Sequence, residues 1–203
     1  MSVTSASAPA ASRFRSGSGR LCLDFMRTLR LRGMKGATEE LATPEALAAW
    51  VAQLGPYPAG TAVPAPTEAV LRQAQGLREA VHTLLTAARS DSGPVGCPPE
   101  ARDLLNRSAA AAPPAPALDR SGALAYSAAD PVEAVLADIA RDALVLATSP
   151  ALERVRACGG PDCAAWFLDT SRPGNRRWCS METCGNKAKK STWRSKHESV
   201  SGG

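Results

Sequence analysis

The chain has 203 residues, a net charge of +5, 44% hydrophobic and only 4% aromatic residues. No apolar run approaches the roughly 20 residues that cross a bilayer, so no transmembrane helix is expected. The length suits one moderate domain plus a small module, and abundant alanine with few aromatics favours helices packed through Ala, Leu and Val.

Met1 to Gly19 is rich in Ser and Ala, carries Arg13 and Arg15, and lacks the apolar core of a secretion signal. Residues 1–19 therefore read as a disordered arm of a cytoplasmic protein; a transit peptide of similar composition is the lesser reading. Reduced thiols follow from that compartment, which makes a disulfide framework the weaker account of the six cysteines.

Residues 20–150 read as a helical domain. Leu21 to Leu31 suits a helix that Gly33 and Gly36 loosen. Thr43-Pro44-Glu45 is a helix start, followed by Leu47, Trp50, Val51 and Leu54 at helical spacing and stopped by Gly55-Pro56. From Thr67, the residues Val70, Ala74, Leu77, Val81, Leu84 and Ala88 trace one apolar stripe on a long helix. Another short helix is expected over 100–110, and an Ala and Pro tract from Ala111 to Ala117 interrupts regular structure. Leu118 to Tyr126, centred on Ser121-Gly122, suits a small hairpin. Asp130-Pro131-Val132-Glu133 then opens a helix that Ser149-Pro150 ends.

Four cysteines concentrate in residues 151–198 as Cys158-x4-Cys163 and Cys179-x4-Cys184. Two such pairs on tight turns can close a tetrahedron around one structural Zn2+. Cys22, in the apolar run Leu21-Cys-Leu23, and Cys97, in a Gly and Pro loop, have no partners at ligand spacing. Leu152 to Arg156 suits a short strand, Trp166 to Asp169 one strand of a hairpin, 170–175 its turn and Arg176 to Trp178 the return. Trp166, Phe167 and Trp178 are the expected core of the finger. A helix follows from Glu182 with Cys184 in its first turn, an order typical of a treble-clef-like finger whose metal replaces a core. Residues 199–203 read as a disordered tail.

From Arg154 to Glu198 ten Lys and Arg face four acids, a net +6 that leaves −1 for the rest of the chain. Lys187, Lys190 and Arg194 share one face of the expected helix, with Lys189 and Lys196 beside them, Arg172 in the preceding turn and Arg176 and Arg177 on its return strand. Such a cluster is the electrostatic footprint of a nucleic-acid surface, although a helix charged only for solubility gives the same pattern. His82 and His197 read as ordinary polar residues, because four thiolates already complete a structural shell. A closed shell, and the lack of any catalytic constellation, make an enzyme unexpected; Asp24 and Arg27 read as an exposed ion pair.

The runs Cys158-Gly-Gly-Pro-Asp-Cys163, Trp166-Phe-Leu-Asp-Thr-Ser-Arg172, Arg177-Trp-Cys-Ser-Met181 and Cys184-Gly-Asn-Lys187 resemble the CGNR-type zinc finger of bacterial proteins. Leu21-Cys-Leu-Asp-Phe25 with Thr28-Leu29 resembles the start of the ABATE domain that precedes that finger. The resemblance implies a stress-linked transcriptional regulator whose finger binds DNA; Asn186 is counted among the expected contacts, and a small-molecule effector or protein partner is expected at the helical domain. Lys187 stands where the family name has Arg, so a contact there is a point charge instead of a fork. Arg27 stands where the N-terminal motif commonly has Asn. The expectation is thus a mainly α protein that binds zinc and DNA; the alternative is a finger serving protein or RNA partners.

Overall fold

A computed structural model describes residues 14–190. The first thirteen residues of the arm, the tail, and Trp193, Arg194, Lys196 and His197 lie outside the described residues.

Five helices make the first domain: α1 (Leu21–Met26), α2 (Pro44–Leu54), α3 (Glu68–Ala88), α4 (Pro99–Ala110) and α5 (Pro131–Ala147). Their starts follow cap chemistry. Thr43 Oγ1 accepts from the Ala46 amide at 3.2 Å, Thr67 Oγ1 from Val70 at 3.3 Å, and Asp130 from Val132 and Glu133 at 2.9 and 3.0 Å, each satisfying amides that a helix leaves unpaired. α3, α4 and α5 pack on one another, and α1 and α2 lie against α3 and α5. Leu77, Val81 and Leu85 of α3 and Val135, Ile139 and Leu146 of α5 are fully buried, each contributing about 1.5–3 kcal/mol of apolar burial. Phe25 meets Trp50 edge to face, ring centres 5.1 Å apart.

The first helix is shorter than the sequence suggests. It stops at Met26, where Thr28 Oγ1 bonds back to the Phe25 carbonyl at 2.7 Å, and the chain turns into β1 (Leu29–Arg30), antiparallel to β2 (Thr38–Glu39). Between the strands Leu31 adopts a positive φ of 52°, a conformation that bulky residues rarely hold. The Ala and Pro tract likewise pairs: β3 (Ala115–Leu118) and β4 (Leu124–Ser127) form a hairpin whose turn is held by Asp119 accepting from Ser121 and Ala123.

A polar residue interrupts the α3 stripe. Arg78 is 3% exposed, forks onto Glu39 of β2 through two 2.6 Å bonds, and reaches Thr28 Oγ1 at 3.2 Å. That network ties the short β1–β2 ribbon, too small to stand alone, to the long helix.

Nor is the arm wholly disordered. Phe14 is 2% exposed and Ser18 fully buried, because Asp24 of α1 accepts from the amides of Gly17 and Ser18, and the Ser18 carbonyl accepts from the Leu168 amide at 2.7 Å. Low complexity in the sequence hid a strap that crosses from the first domain to the finger.

In the finger, β5 (Val155–Ala157) pairs antiparallel with β6 (Trp166–Leu168), Val155 opposite Leu168. The expected return strand at 176–178 does not form; the hairpin is made by the residues flanking the first cysteine pair, and a tight helical turn over 150–154 replaces the start of the expected strand. A wide helical turn, Met181–Gly185, continues as α-helix through 190, opened by Ser180 Oγ accepting from the Thr183 amide at 3.2 Å.

Candidate metal centre

The β5–β6 hairpin carries Cys158 and Cys163 on its loop, while Cys179 precedes and Cys184 opens the C-terminal helix. All four Sγ atoms lie within 4.8 Å of one another, with Cys163–Cys179 at 3.6 Å and Cys179–Cys184 at 3.7 Å. A tetrahedron of sulfurs about 2.3 Å from a central zinc has edges of about 3.8 Å, whereas a disulfide needs about 2.05 Å. The donors therefore fit one zinc ion, with no fifth group in the cluster among the described residues. Close approach explains the glycines: a Cβ on Gly160 would sit 3.3 Å from Cys163 Cβ and 3.5 Å from Cys184 Sγ, and one on Gly159 would press on the Trp178 ring at 3.2 Å.

Crowding sets the proton chemistry of the bare thiols. Cys163, hydrogen-bonded by Cys179, is held far below the usual thiol range; Cys179 is driven up by the same bond and by burial, and Cys184 is raised chiefly by burial. One cluster of thiols cannot ionise together without a cation, so metal binding must displace protons. Cys22 is fully buried and its thiol is raised by burial and then by Asp142, which leaves it a neutral apolar filler.

Residues outside the cysteines brace the site, Asp169 and Arg27 among them. Asp169, 1% exposed, accepts from the Ser171 amide and hydroxyl at 2.9 and 2.6 Å and from the Arg176 amide at 2.8 Å, and its carboxyl is held below the usual range by Ser171 foremost. The Asp-Thr-Ser order is an Asx-turn signature that could have revealed it. Arg27 comes from the other domain. Its guanidinium is buried, bonds Ser16 O at 3.1 Å and Ser18 Oγ at 3.0 Å, lies 3.7 Å from Asp24, and reaches Cys179 Sγ at 3.9 Å. The expected exposed pair is thus a buried link, and nothing in the local sequence marks its distant sulfur partner.

Residues 154–197 match the CGNR zinc finger, and residues 19–150 match the ABATE family, described as "Putative stress-induced transcription regulator". The chain belongs to the ABATE family. No curated protein matches it significantly.

The ABATE chain sorts its expected DNA contacts unevenly. Arg176 turns inward: Nε donates to the Trp178 carbonyl at 2.8 Å, Nη2 to the Cys179 carbonyl, and the guanidinium covers Phe167 at 5.0 Å. It acts as a brace, a use that charge counting cannot distinguish. Arg177 is exposed, 5.1 Å over the Trp178 ring, and Arg172 is exposed in the turn after Asp169. Asn186, Lys187, Lys189 and Lys190 are exposed on the C-terminal helix, where Asn186 Nδ2 donates to the Glu182 carbonyl at 3.0 Å. Among the described residues none of the three lysines has an ion-pair partner. Trp166 leaves the finger core to dock on α3, 5.4 Å from His82 and beneath Arg89 at 4.8 Å, while Phe167 stays within it.

Proposed function

We propose that this protein is a non-catalytic, cytoplasmic transcriptional regulator whose finger binds duplex DNA. The observation carrying this reading is the helical segment that holds the ligand Cys184 in its first turn and exposes Lys187, Lys189 and Lys190 beside Asn186, none of the three in an ion pair among the described residues. Zinc would fix the base of that helix, and the exposed lysines, with exposed Arg172 and Arg177 in the same finger, supply the counterion-releasing charge that phosphate binding needs. The family description and the closed four-thiolate shell, with no position left for a substrate, support a regulatory over a catalytic role. Among the described residues no helix is long and apolar enough to cross a membrane. RNA recognition would call for open aromatic platforms, and Trp166 and Trp178 are instead half-buried and packed.

Fluorescence anisotropy on duplex DNA across a salt series tests this. Each phosphate contact contributes a slope of about −0.9 in log affinity against log salt, so replacing Lys187, Lys189 and Lys190 by Ala should flatten the slope by about two to three units. A zinc-loaded chain that binds neither genomic nor random duplex at low salt would overturn the reading and leave the helix to a protein partner.

A further inference from the structure

A small, partly open recess lies at the seam of the two domains. Four consecutive residues, Leu29 to Arg32, line it: Leu29 and Arg30 from β1, and Leu31 and Arg32 from the turn after it, where Leu31 holds a positive φ. Opposite lies Trp166 of the finger, and the zinc ligand Cys163 contributes to the wall.

We propose that this recess binds a small organic anion with an apolar body, its charge held by Arg15 and Arg30 and its body lying along Leu29 and Trp166. Four arginines line the recess against one acid, Asp162. Three of them already have carboxylates: Arg27 has Asp24, Arg32 is forked on Glu79, and Arg30 lies 3.6 Å from Glu40 through Nε, too long for a hydrogen bond. Arg15 is half-buried and has no hydrogen bond or ion pair among the described residues. A half-buried guanidinium with no partner in the fold keeps its forked donors free for an anion. His82 also lines the recess; burial and then Arg32 hold its imidazole below the usual range, so it offers a neutral ring, tilted against Trp166, and adds no competing charge. Because Cys163 forms part of the wall, an occupant would touch both the helical domain and the zinc knuckle. The binding site stands apart from the DNA reading; only its use as an effector site rests on it.

Isothermal titration of the zinc-loaded full chain decides the matter. The probes are benzoate and phenyl phosphate, with benzamide as the uncharged body and inorganic phosphate as the charge without a body. The expected result is saturable binding of both organic anions, with either control at least about tenfold weaker. Arg15→Gln with Arg30→Gln should weaken benzoate at least about tenfold at unchanged zinc content, while Arg102→Gln, on exposed α4, should not. Arg15→Gln alone breaks no bond in the fold and gives the same test should the double variant misfold. Equal binding of benzamide, indifference to Arg15→Gln and Arg30→Gln, or no saturation below about 10 mM would each overturn the proposal. None of these readouts involves DNA, so the two readings fail separately.

Discussion

The guanidinium of Arg27 lies 3.9 Å from the Cys179 sulfur, although 152 residues separate them in the chain. A buried cation beside an anionic tetrathiolate lowers the cost of its charge and fixes the sulfur's orientation, as outer partners of metal ligands do. Arg27→Asn should therefore release zinc to a chelator about 10- to 100-fold faster than the parent, the range seen for outer-shell losses. Chelator-trapping kinetics check this, and an unchanged rate would show the contact to be incidental.

Metal content should be one zinc per chain, and Cys184→Ser should lose it. Leu152 and Val155 join the core of the first domain, and Trp166 and Leu168 pack against it. Metal removal should consequently lower the melting temperature of the whole protein instead of melting the finger alone. Thermal scans with and without chelator measure the shift. Zinc affinity should fall as pH falls, because protons compete for the same sulfurs. Cys22→Ala with Cys97→Ala should leave zinc content unchanged.

Arg176 and Arg177 are neighbours with opposite fates. Arg176→Ala removes donors to the carbonyls of Trp178 and Cys179, so it should weaken zinc retention and DNA binding together. Arg177→Ala should keep the zinc; if Arg177 reads a guanine edge, the loss on the preferred site is about 1–3 kcal/mol, with little on random DNA. Parallel metal analysis and anisotropy separate the two.

Arg78 should be the most sensitive polar position of the first domain. Removing one partner of a buried pair costs about 3–5 kcal/mol, and Arg78→Met should approach the lower end because Glu39 is partly solvated. The same network gives an acid limb to stability. Burial alone would raise Glu79, but Arg32 and Arg78 hold its carboxyl below the usual range. A depressed folded-state value means stability that is present above the normal carboxylate range and lost as pH falls through the folded one. Urea midpoints of the parent and Glu79→Gln should differ at pH 7 and converge in acid.

Local chemistry was legible where a residue acts on near neighbours. Thr43, Thr67 and Asp130 cap helices that start within their own turn, and the four thiols declare themselves by spacing. Roles set by distant partners were not. Arg78, Arg27 and Arg176 are three arginines that composition counts as surface charge, yet one ties a ribbon to a helix, one touches a metal ligand and one braces the knuckle. Asp169 lay between, since its turn signature is local but its reach to Arg176 crosses seven residues.

The strap at Ser16 to Gly19 bears on how the molecule can be divided. A clone trimmed to the family boundary at residue 19 would discard Ser16 and Ser18, both held by Arg27, and with Ser18 the carbonyl that anchors β6. Arg27 would then keep Asp24 and Cys179 but lose its two neutral acceptors, and the seam between the halves would be left with side-chain packing and the single Arg27–Cys179 contact.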